Sequence, residues 1–219
     1  MNKYLTIQGE SSAQYEIQRS RFITHVSHVE SEEEAREFIL RQKKSYFDAR
    51  HNCSAWILGD QGDKQKSNDD GEPGGTAGNP ILEAIRKRGL TDVAVVVTRY
   101  FGGIKLGAGG LIRAYGHAAG LGLDAADLIA MMPFRQVNIT CDYTLFNTLD
   151  NFLRQKKIRI GDTSYAEKVT MSLMLPPEKT ESILTEITDL TAARCQYEPL
   201  EEVLLPIPPE EASQASPST

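Results

Sequence analysis

The stretch DVAVVVTRYFGGIKLGAGGLIRAYG, residues 92–116, decides the fold of the first half of the chain. Its apolar run predicts a buried central strand, and the Ala- and Leu-rich segment after it predicts a helix over 106–130. Many glycines lie between the two elements, with Arg99, Lys105 and Arg113 spaced among them. Either a ligand approaches the backbone closely there, or two parts of the protein pack with almost no side chain between them.

The ligand explanation rests on the start of the predicted helix, where free N–H groups and the helix dipole favour an anion. Glycines would let a phosphate approach those groups, and the cationic side chains would neutralise it. The candidate anion- or nucleic-acid-binding residues are Arg99, Tyr100, Gly102, Gly103, Lys105, Gly107, Gly109, Gly110 and Arg113. Arg86, Lys87 and Arg88 are further candidates, or helix-end charges that complement the dipole.

The packing explanation stays open for several of the same glycines. The stretch matches neither GxxxxGK[ST] nor GxGxxG, the common phosphate-binding templates. Close packing of the helix on the sheet explains Gly109, Gly110 and Gly116 equally well. For Gly102 and Gly103 we predict unusual backbone angles in a turn.

Composition and charge limit the kind of partner. The chain has 219 residues, 40% of them hydrophobic, which suits one large or two small globular domains. Its formal net charge is −6, whereas a protein that grips nucleic acid with its whole surface is normally basic. Any nucleic-acid role therefore requires a local basic patch.

The expected location is the cytoplasm, with no membrane partner. No apolar run approaches the roughly 20 residues that span a bilayer, and the first residues, MNKYLTIQGE, lack the apolar core of a signal peptide. Cys53, Cys141 and Cys195 are widely scattered and form no CxxC pair. This argues against a disulfide framework or a zinc site, and we predict no metal site and no cofactor.

The order of predicted elements gives a two-domain α+β protein. The first half reads as strands and helices in alternation, with a capping box at Ser31 and Glu34 and an exposed, mobile loop over 60–78. The second half follows the βαββαβ order of a ferredoxin-like domain. We predict domains over 1–132 and 136–205, and a disordered polar tail over 206–219.

Two stretches together resemble the signature of the IMPACT/YigZ family: DDGEPGGTAGNPIL, residues 69–82, and VVVTRYFGGIKLGAGGLIRAY, residues 95–115. SRFI, residues 20–23, and the HNC motif at 51–53 agree with it, and the resemblance spans nearly the whole chain. It implies a first domain with the left-handed βαβ fold of a ribosomal protein and of domain IV of elongation factor G. It implies a second domain like the ferredoxin-like domain V of that factor.

The resemblance also implies a role in translation, because eukaryotic members damp the kinase that responds to amino-acid starvation. The 219 residues contain no segment resembling the RWD-like extension of those members. The family-motif residues are His51 and Cys53 on a strand, and Asp69, Asp70, Gly71, Glu72, Pro73, Thr76 and Gly78 in a loop.

These motif residues allow several chemical interpretations. The loop carboxylates are hard oxygen ligands of the kind that Mg²⁺ prefers, but a solvated loop that orders on binding a partner explains them better. His51 and Cys53 share a strand face, which suggests a nucleophilic pair. No third group that would orient such a pair is evident, so a buried structural pair explains the two residues better.

Three hypotheses about function remain. The first is a translation-associated regulator that binds RNA or a ribosomal surface through the basic strand-to-helix junction. The second is an enzyme on a phosphorylated small molecule or nucleotide, with a carboxylate of the acidic loop as base. The third is a protein-interaction regulator whose ferredoxin-like half binds a protein partner. The sequence leaves open whether the chain is an enzyme.

Overall fold

The structure of the chain, a computed structural model, describes residues 1–214 and divides them into two compact units. The first unit holds residues 2–131, the second holds residues 132–205, and the segment from Pro206 belongs with the first. Across 1–214, no helix is both long and apolar enough to cross a membrane.

The first unit is built on a five-stranded sheet. Its elements are β1 (Tyr4–Gln8), β2 (Glu10–Ile17), β3 (Ser20–His28), α1 (Glu32–Ser45), β4 (His51–Leu58), β5 (Lys64–Asn68), α2 (Gly78–Arg86), β6 (Val93–Tyr100) and α3 (Gly107–Asp124). The strands follow the order β2-β3-β6-β4-β5, and each described pairing is antiparallel. The predicted central strand is therefore confirmed as β6.

Helices cover both faces of this sheet because the side chains of β6 alternate between two apolar clusters. Val93, Val95 and Val97 pack in the cluster that contains α2 and α3. Ala94 and Val96 pack in the cluster that contains α1. A strand buried on both faces reads as a continuous apolar run, which is what the sequence shows there.

Two parts of the first unit differ from the sequence-based expectation. The loop predicted over 60–78 contains β5, which pairs with β4 between Lys64 and Asn68. The helix predicted over 106–130 ends at Asp124, because residues 127–131 form a strand that pairs with β1. Both differences arise from strand pairing with a distant segment, which no local pattern encodes.

The second unit confirms the ferredoxin-like order. Its elements are β7 (Asp127–Cys141), α4 (Tyr143–Gln155), β8 (Arg159–Tyr165), β9 (Val169–Leu175), α5 (Thr180–Leu190) and β10 (Gln196–Ile207). The helix α6 (Pro209–Gln214), which follows β10, belongs with the first unit. A short 3₁₀ turn, Pro177–Lys179, precedes α5. Within this unit the strand order is β10-β7-β9-β8, and β1 is the fifth strand of the sheet through its pairing with residues 127–131 of β7. The inward side chains of β7 and β9 pack with those of α4 and α5 in one apolar core.

Two segments at the predicted ends of the domains form regular secondary structure. β7 runs without interruption through the predicted linker at 133–135, and the first unit ends at residue 131. The tail predicted as disordered over 206–219 begins with the last two residues of β10 and continues as α6. Backbone pairing and a helical turn thus order the first part of that segment, and residues 215–219 lie outside the described part of the chain.

Candidate functional site

Four loops meet at one end of the first unit's sheet. The register pairs His51, at the start of β4, with Arg99, at the end of β6, and pairs Arg21, near the start of β3, with Tyr100. The segments at this end are therefore the β2–β3 turn, the α1–β4 loop at 46–50, the acidic loop at 69–77 and the β6–α3 loop at 101–106. Both family-signature stretches and the HNC motif contribute to it.

A cleft of about 320 Å³ opens between these loops and the start of α3. Its volume lies at the lower end of the range for small-ligand pockets. The residues that line it and matter below are Arg50, His51, Glu72, Arg99, Phe101, Lys105 and Gly107.

The first turn of α3 borders this cleft and has no side-chain cap. The helix begins at Gly107, and Leu106 before it offers no polar side chain to the first turn. Gly107 and Ala108 line the cleft, so unsatisfied N–H groups and the positive end of the helix dipole lie at its wall.

Arg99 lies beneath the cleft rather than projecting into solvent, because it forms a buried ion pair with Glu72. Its Nη1 atom donates to Oε1 of Glu72 at 2.7 Å, and its Nη2 atom is 3.4 Å from Oγ of Ser20. Arg99 is 6% exposed and Glu72 is 8% exposed. The Nε atom of Arg99 is buried and has no hydrogen-bond partner within residues 1–214.

The three cations of the glycine-rich stretch lie in different surroundings. Lys105 is exposed and lines the cleft, whereas the Arg99 guanidinium is ion-paired with Glu72. Arg113 lines a separate groove between α2 and α3, because it lies a turn and a half further along the helix. Lys87 and Arg88 line that same groove, and Arg86 pairs with Glu83.

The glycines of the junction have different roles. A Cβ atom on Gly102 would overlap the backbone carbonyl of Arg19, so this glycine permits close packing and needs no unusual φ. Gly103 and Gly107 have φ of +87° and +70°, the left-handed region that favours glycine. Gly109 has only the end of the Arg113 side chain nearby, at 3.6 Å, and Gly110 would meet Cβ of Leu106 at 3.0 Å.

The acidic loop is fixed by its own carboxylates. Asp69 accepts the backbone N–H groups of Gly75, Ala77 and Gly78 at 2.8–3.0 Å and thereby caps α2. Burial raises the pKa of Asp69, but the three hydrogen bonds outweigh it and hold the pKa below the ordinary value. Asp70 pairs with Lys43 at 2.6 Å and accepts the N–H of Asn52.

Backbone contacts complete this fixation, so the expectation of a mobile loop is wrong for residues 69–78. Thr76 donates its hydroxyl to the carbonyl of Pro73 at 2.7 Å. Gly71 has a φ of +86°, and a Cβ atom on it would contact the His51 ring. A Cβ atom on Gly78 would lie 2.7 Å from the backbone nitrogen of Asn68. Within residues 1–214, no cluster of three or more His, Cys, Asp or Glu side chains is placed to hold a metal ion.

His51 and Cys53 attach this loop to β4. Nδ1 of His51 donates to the carbonyl of Asp70 at 2.9 Å, and Sγ of Cys53 lies 3.0 Å from the carbonyl oxygen of Asp69. Burial raises the pKa of Cys53 to about 12, which removes the thiolate that a nucleophile needs. The two residues hold the acidic loop against β4.

The local charge at this end is positive despite the net charge of the chain. Asp69, Asp70 and Glu72 are compensated by the α2 amides, Lys43 and Arg99. At this end four exposed cations, Arg19, Arg21, Arg50 and Lys105, form no ion pair within residues 1–214, and they outnumber the exposed carboxylates Glu16 and Asp48. We call these four side chains, together with the first turn of α3, the basic end.

Of these four cations, the sequence analysis named Lys105 as a candidate and did not name Arg19, Arg21 or Arg50. Arg19 and Arg21 flank Ser20 of the SRFI motif, and Arg50 precedes His51 of the HNC motif, so their positions beside family motifs were the available signal. Tyr100, which was predicted, lies among them: its ring stacks under the Arg21 guanidinium at 4.7 Å, and its hydroxyl donates to Asp48 at 2.7 Å.

Comparisons with known proteins match both units. Residues 18–123 match the family model described as the Impact N-terminal domain, and residues 139–194 match a second model, Domain of unknown function (DUF1949). A relative from Bacillus subtilis, IMPACT family member YvyE, is 42% identical over 87% of this chain and 88% of its own length. IMPACT family member YigZ from Escherichia coli is 34% identical over 85% and 93%.

A eukaryotic relative and a solved structure are also similar. The Protein IMPACT homolog of Saccharomyces cerevisiae is 37% identical over 40% of this chain and 35% of its own length. A crystal structure described as that of a hypothetical protein aligns over 92% of this chain and 98% of its own, with a TM-score of 0.58 and 30% identity.

Proposed function

The chain belongs to the IMPACT family, and on that premise we propose that it is a translation-associated regulator that binds RNA through the basic end. The phosphates of the RNA lie against the first turn of α3 and the cations around it. The ligand includes RNA exposed on the ribosome, which requires the protein to act in the cytoplasm.

One observation carries this proposal: exposed cations surround an uncapped helix start in a cleft whose carboxylates are already neutralised. Lys105 and Arg50 line the cleft beside Gly107, and Arg19 and Arg21 lie at the same end of the sheet. Phosphate oxygens are the ligands that such N–H groups and cations favour. The net charge of −6 opposes binding elsewhere on the surface, so affinity depends on this end.

Fluorescence anisotropy with a labelled RNA of about 20 nucleotides tests the proposal. The full chain is compared with the double variant Arg50→Ala/Lys105→Ala and with Lys87→Ala, a control that removes an exposed cation from the other groove. We expect the double variant to lose at least tenfold in affinity at low salt and the control to bind as the parent does. Equal affinity of all three proteins, or no binding by the parent, would refute the proposal.

Ribosome binding is a separate readout of the same site. In co-sedimentation at low salt, the parent chain and Lys87→Ala should pellet with ribosomes, and Arg50→Ala/Lys105→Ala should stay in the supernatant. A double variant that still pelleted with ribosomes would place that contact elsewhere on the molecule. A thermal shift by free nucleotides that Lys105→Ala removes would instead support an enzyme of phosphorylated small molecules.

A further inference from the structure

Two phenylalanine rings project into solvent beside the basic end. Phe47, in the α1–β4 loop, is 84% exposed, more than any other large hydrophobic side chain in the described part of the chain. Phe101, the first residue after β6, is 51% exposed and lines the cleft. Exposing a ring to water forgoes the free energy of burying it, so neither ring contributes much to the core.

A hydrogen bond holds these two rings in neighbouring loops. The hydroxyl of Tyr100, adjacent to Phe101, donates to Oδ1 of Asp48, adjacent to Phe47, at 2.7 Å. The Arg21 guanidinium covers the Tyr100 ring, and the Arg99 guanidinium lies 5.6 Å from the centre of the Phe101 ring. The α1–β4 loop and the β6–α3 loop are therefore tied together at the Tyr100–Asp48 hydrogen bond, with Arg21 over the Tyr100 ring.

The charge around the rings distinguishes between the partners they would suit. An apolar protein partner would meet Arg19, Arg21, Arg50 and Lys105, and it would have to desolvate them without compensation. A single-stranded nucleic acid satisfies both features, because its phosphates pair with the cations while its unstacked bases lie on the aromatic rings. In a duplex the faces of the bases are covered by their neighbours, so the rings would find nothing to stack on.

We propose that Phe47 and Phe101 are stacking sites for unpaired nucleobases, so that the ligand of the basic end is single-stranded RNA. This inference rests on the proposed function and adds the class of RNA and the residues that select it. Stacking is tolerant of base identity, since every base has a π-face. Purines, with the larger faces, bind more tightly than uracil.

The test compares single-stranded and duplex RNA of the same sequence, each with 2-aminopurine at one position. For the parent chain we expect the single strand to bind at least tenfold more tightly than the duplex and its 2-aminopurine fluorescence to change on binding. Each of Phe47→Ala and Phe101→Ala should weaken single-strand binding about 5- to 150-fold, which corresponds to about 1–3 kcal/mol. Phe47→Trp and Phe101→Tyr should restore it.

Salt dependence separates stacking from phosphate contact in the same experiment. The phenylalanine variants should leave the slope of log affinity against log salt unchanged, whereas Lys105→Ala should reduce it. Because Phe47 is so exposed, Phe47→Ala should melt at the same temperature as the parent, so its binding result stands even if Phe101→Ala unfolds.

The outcomes distinguish the two proposals. Binding of RNA by the parent with unchanged affinity in Phe47→Ala, or equal affinity for duplex and single strand, overturns the stacking inference and leaves the proposed function intact. Absence of RNA binding by the parent overturns both, and the exposed rings would then be assigned to a protein interface.

Discussion

Glu72 and Arg99 form an almost completely buried ion pair, with Oε1 of Glu72 2.7 Å from Nη1 of Arg99. The same Oε1 atom accepts the hydroxyl of Tyr115 at 2.8 Å, and Tyr115 in turn contacts Cys53 at 3.3 Å. Burial is the main cause that raises the pKa of Tyr115, so its hydroxyl stays protonated and acts as a donor. The network joins the acidic loop, β4, β6 and α3, and thereby positions the walls of the cleft.

Removing Glu72 should be one of the most damaging changes in the first unit. Glu72→Ala leaves the Arg99 charge buried and unpaired, so we expect a loss of about 3–5 kcal/mol in the free energy of unfolding. Urea denaturation measures it, with Glu83→Ala, an exposed carboxylate on α2, as the control that changes stability by less than about 1 kcal/mol. A Glu72→Ala variant as stable as the control would show that the pair is not buried in solution.

The cap on α2 should make stability depend on pH in the acid range. The folded-state pKa of Asp69 lies below its ordinary value of 3.8, so its stabilisation is present above that value and is lost as the pH falls through the folded pKa. At pH 7, Asp69→Asn should cost about 0.5–2 kcal/mol, and this difference should shrink between pH 4 and pH 2. Denaturation midpoints of both proteins across pH 2–7 test it, and a difference that stayed constant would refute the assignment.

Two glycines of α3 should respond to alanine with opposite signs. A Cβ atom on Gly122 would overlap the side chain of Thr24, so Gly122→Ala should destabilise the chain by about 1–3 kcal/mol. Gly116 has only Pro80 nearby, at 3.9 Å, so Gly116→Ala should stabilise it by about 0.5–1 kcal/mol through helix propensity. Thermal melts of the two variants suffice, and equal shifts would contradict the packing of α3 on β3.

Cys53 should be inert towards thiol reagents in the native protein. With its pKa raised by burial to about 12, roughly one thiol in 10⁴ is ionised at pH 8, and the side chain is fully buried. Mass-spectrometric mapping of iodoacetamide labelling should show Cys53 modified only after denaturation. Rapid labelling of native Cys53 would instead revive its interpretation as a nucleophile.

The sequence predicted the elements whose signals are local. The apolar run of β6, the capping box at Ser31 and Glu34, where the N–H of Glu34 donates to Oγ of Ser31, and the order of the second unit all follow from residues within one element or its neighbours. The strand β2 gives only a weak signal, because none of its residues is fully buried and only Tyr15 and Ile17 pack against the core.

The site was harder to predict because distant segments assemble it. Arg99 was expected at the surface, since arginine is rarely buried without a partner, and its partner Glu72 lies 27 residues away in a loop of charged and small residues. Arg19 and Arg50 come from two other loops and Arg21 from β3, and only the strand register brings them to the same end of the sheet as Lys105. The glycine-rich helix start, by contrast, follows directly from one continuous stretch of sequence, and it borders the cleft.

The central claim is that the cations of the basic end bind RNA phosphates, and the salt dependence of binding tests it most directly. Single-strand affinity should fall with a slope of log K against log salt of about −0.7 for each phosphate neutralised, or about −2.8 for the four cations. In Arg50→Ala/Lys105→Ala the slope should fall to about −1.4, while Lys87→Ala keeps the parent value. A parent affinity that did not change with salt, or a double variant with the parent slope, would contradict the claim.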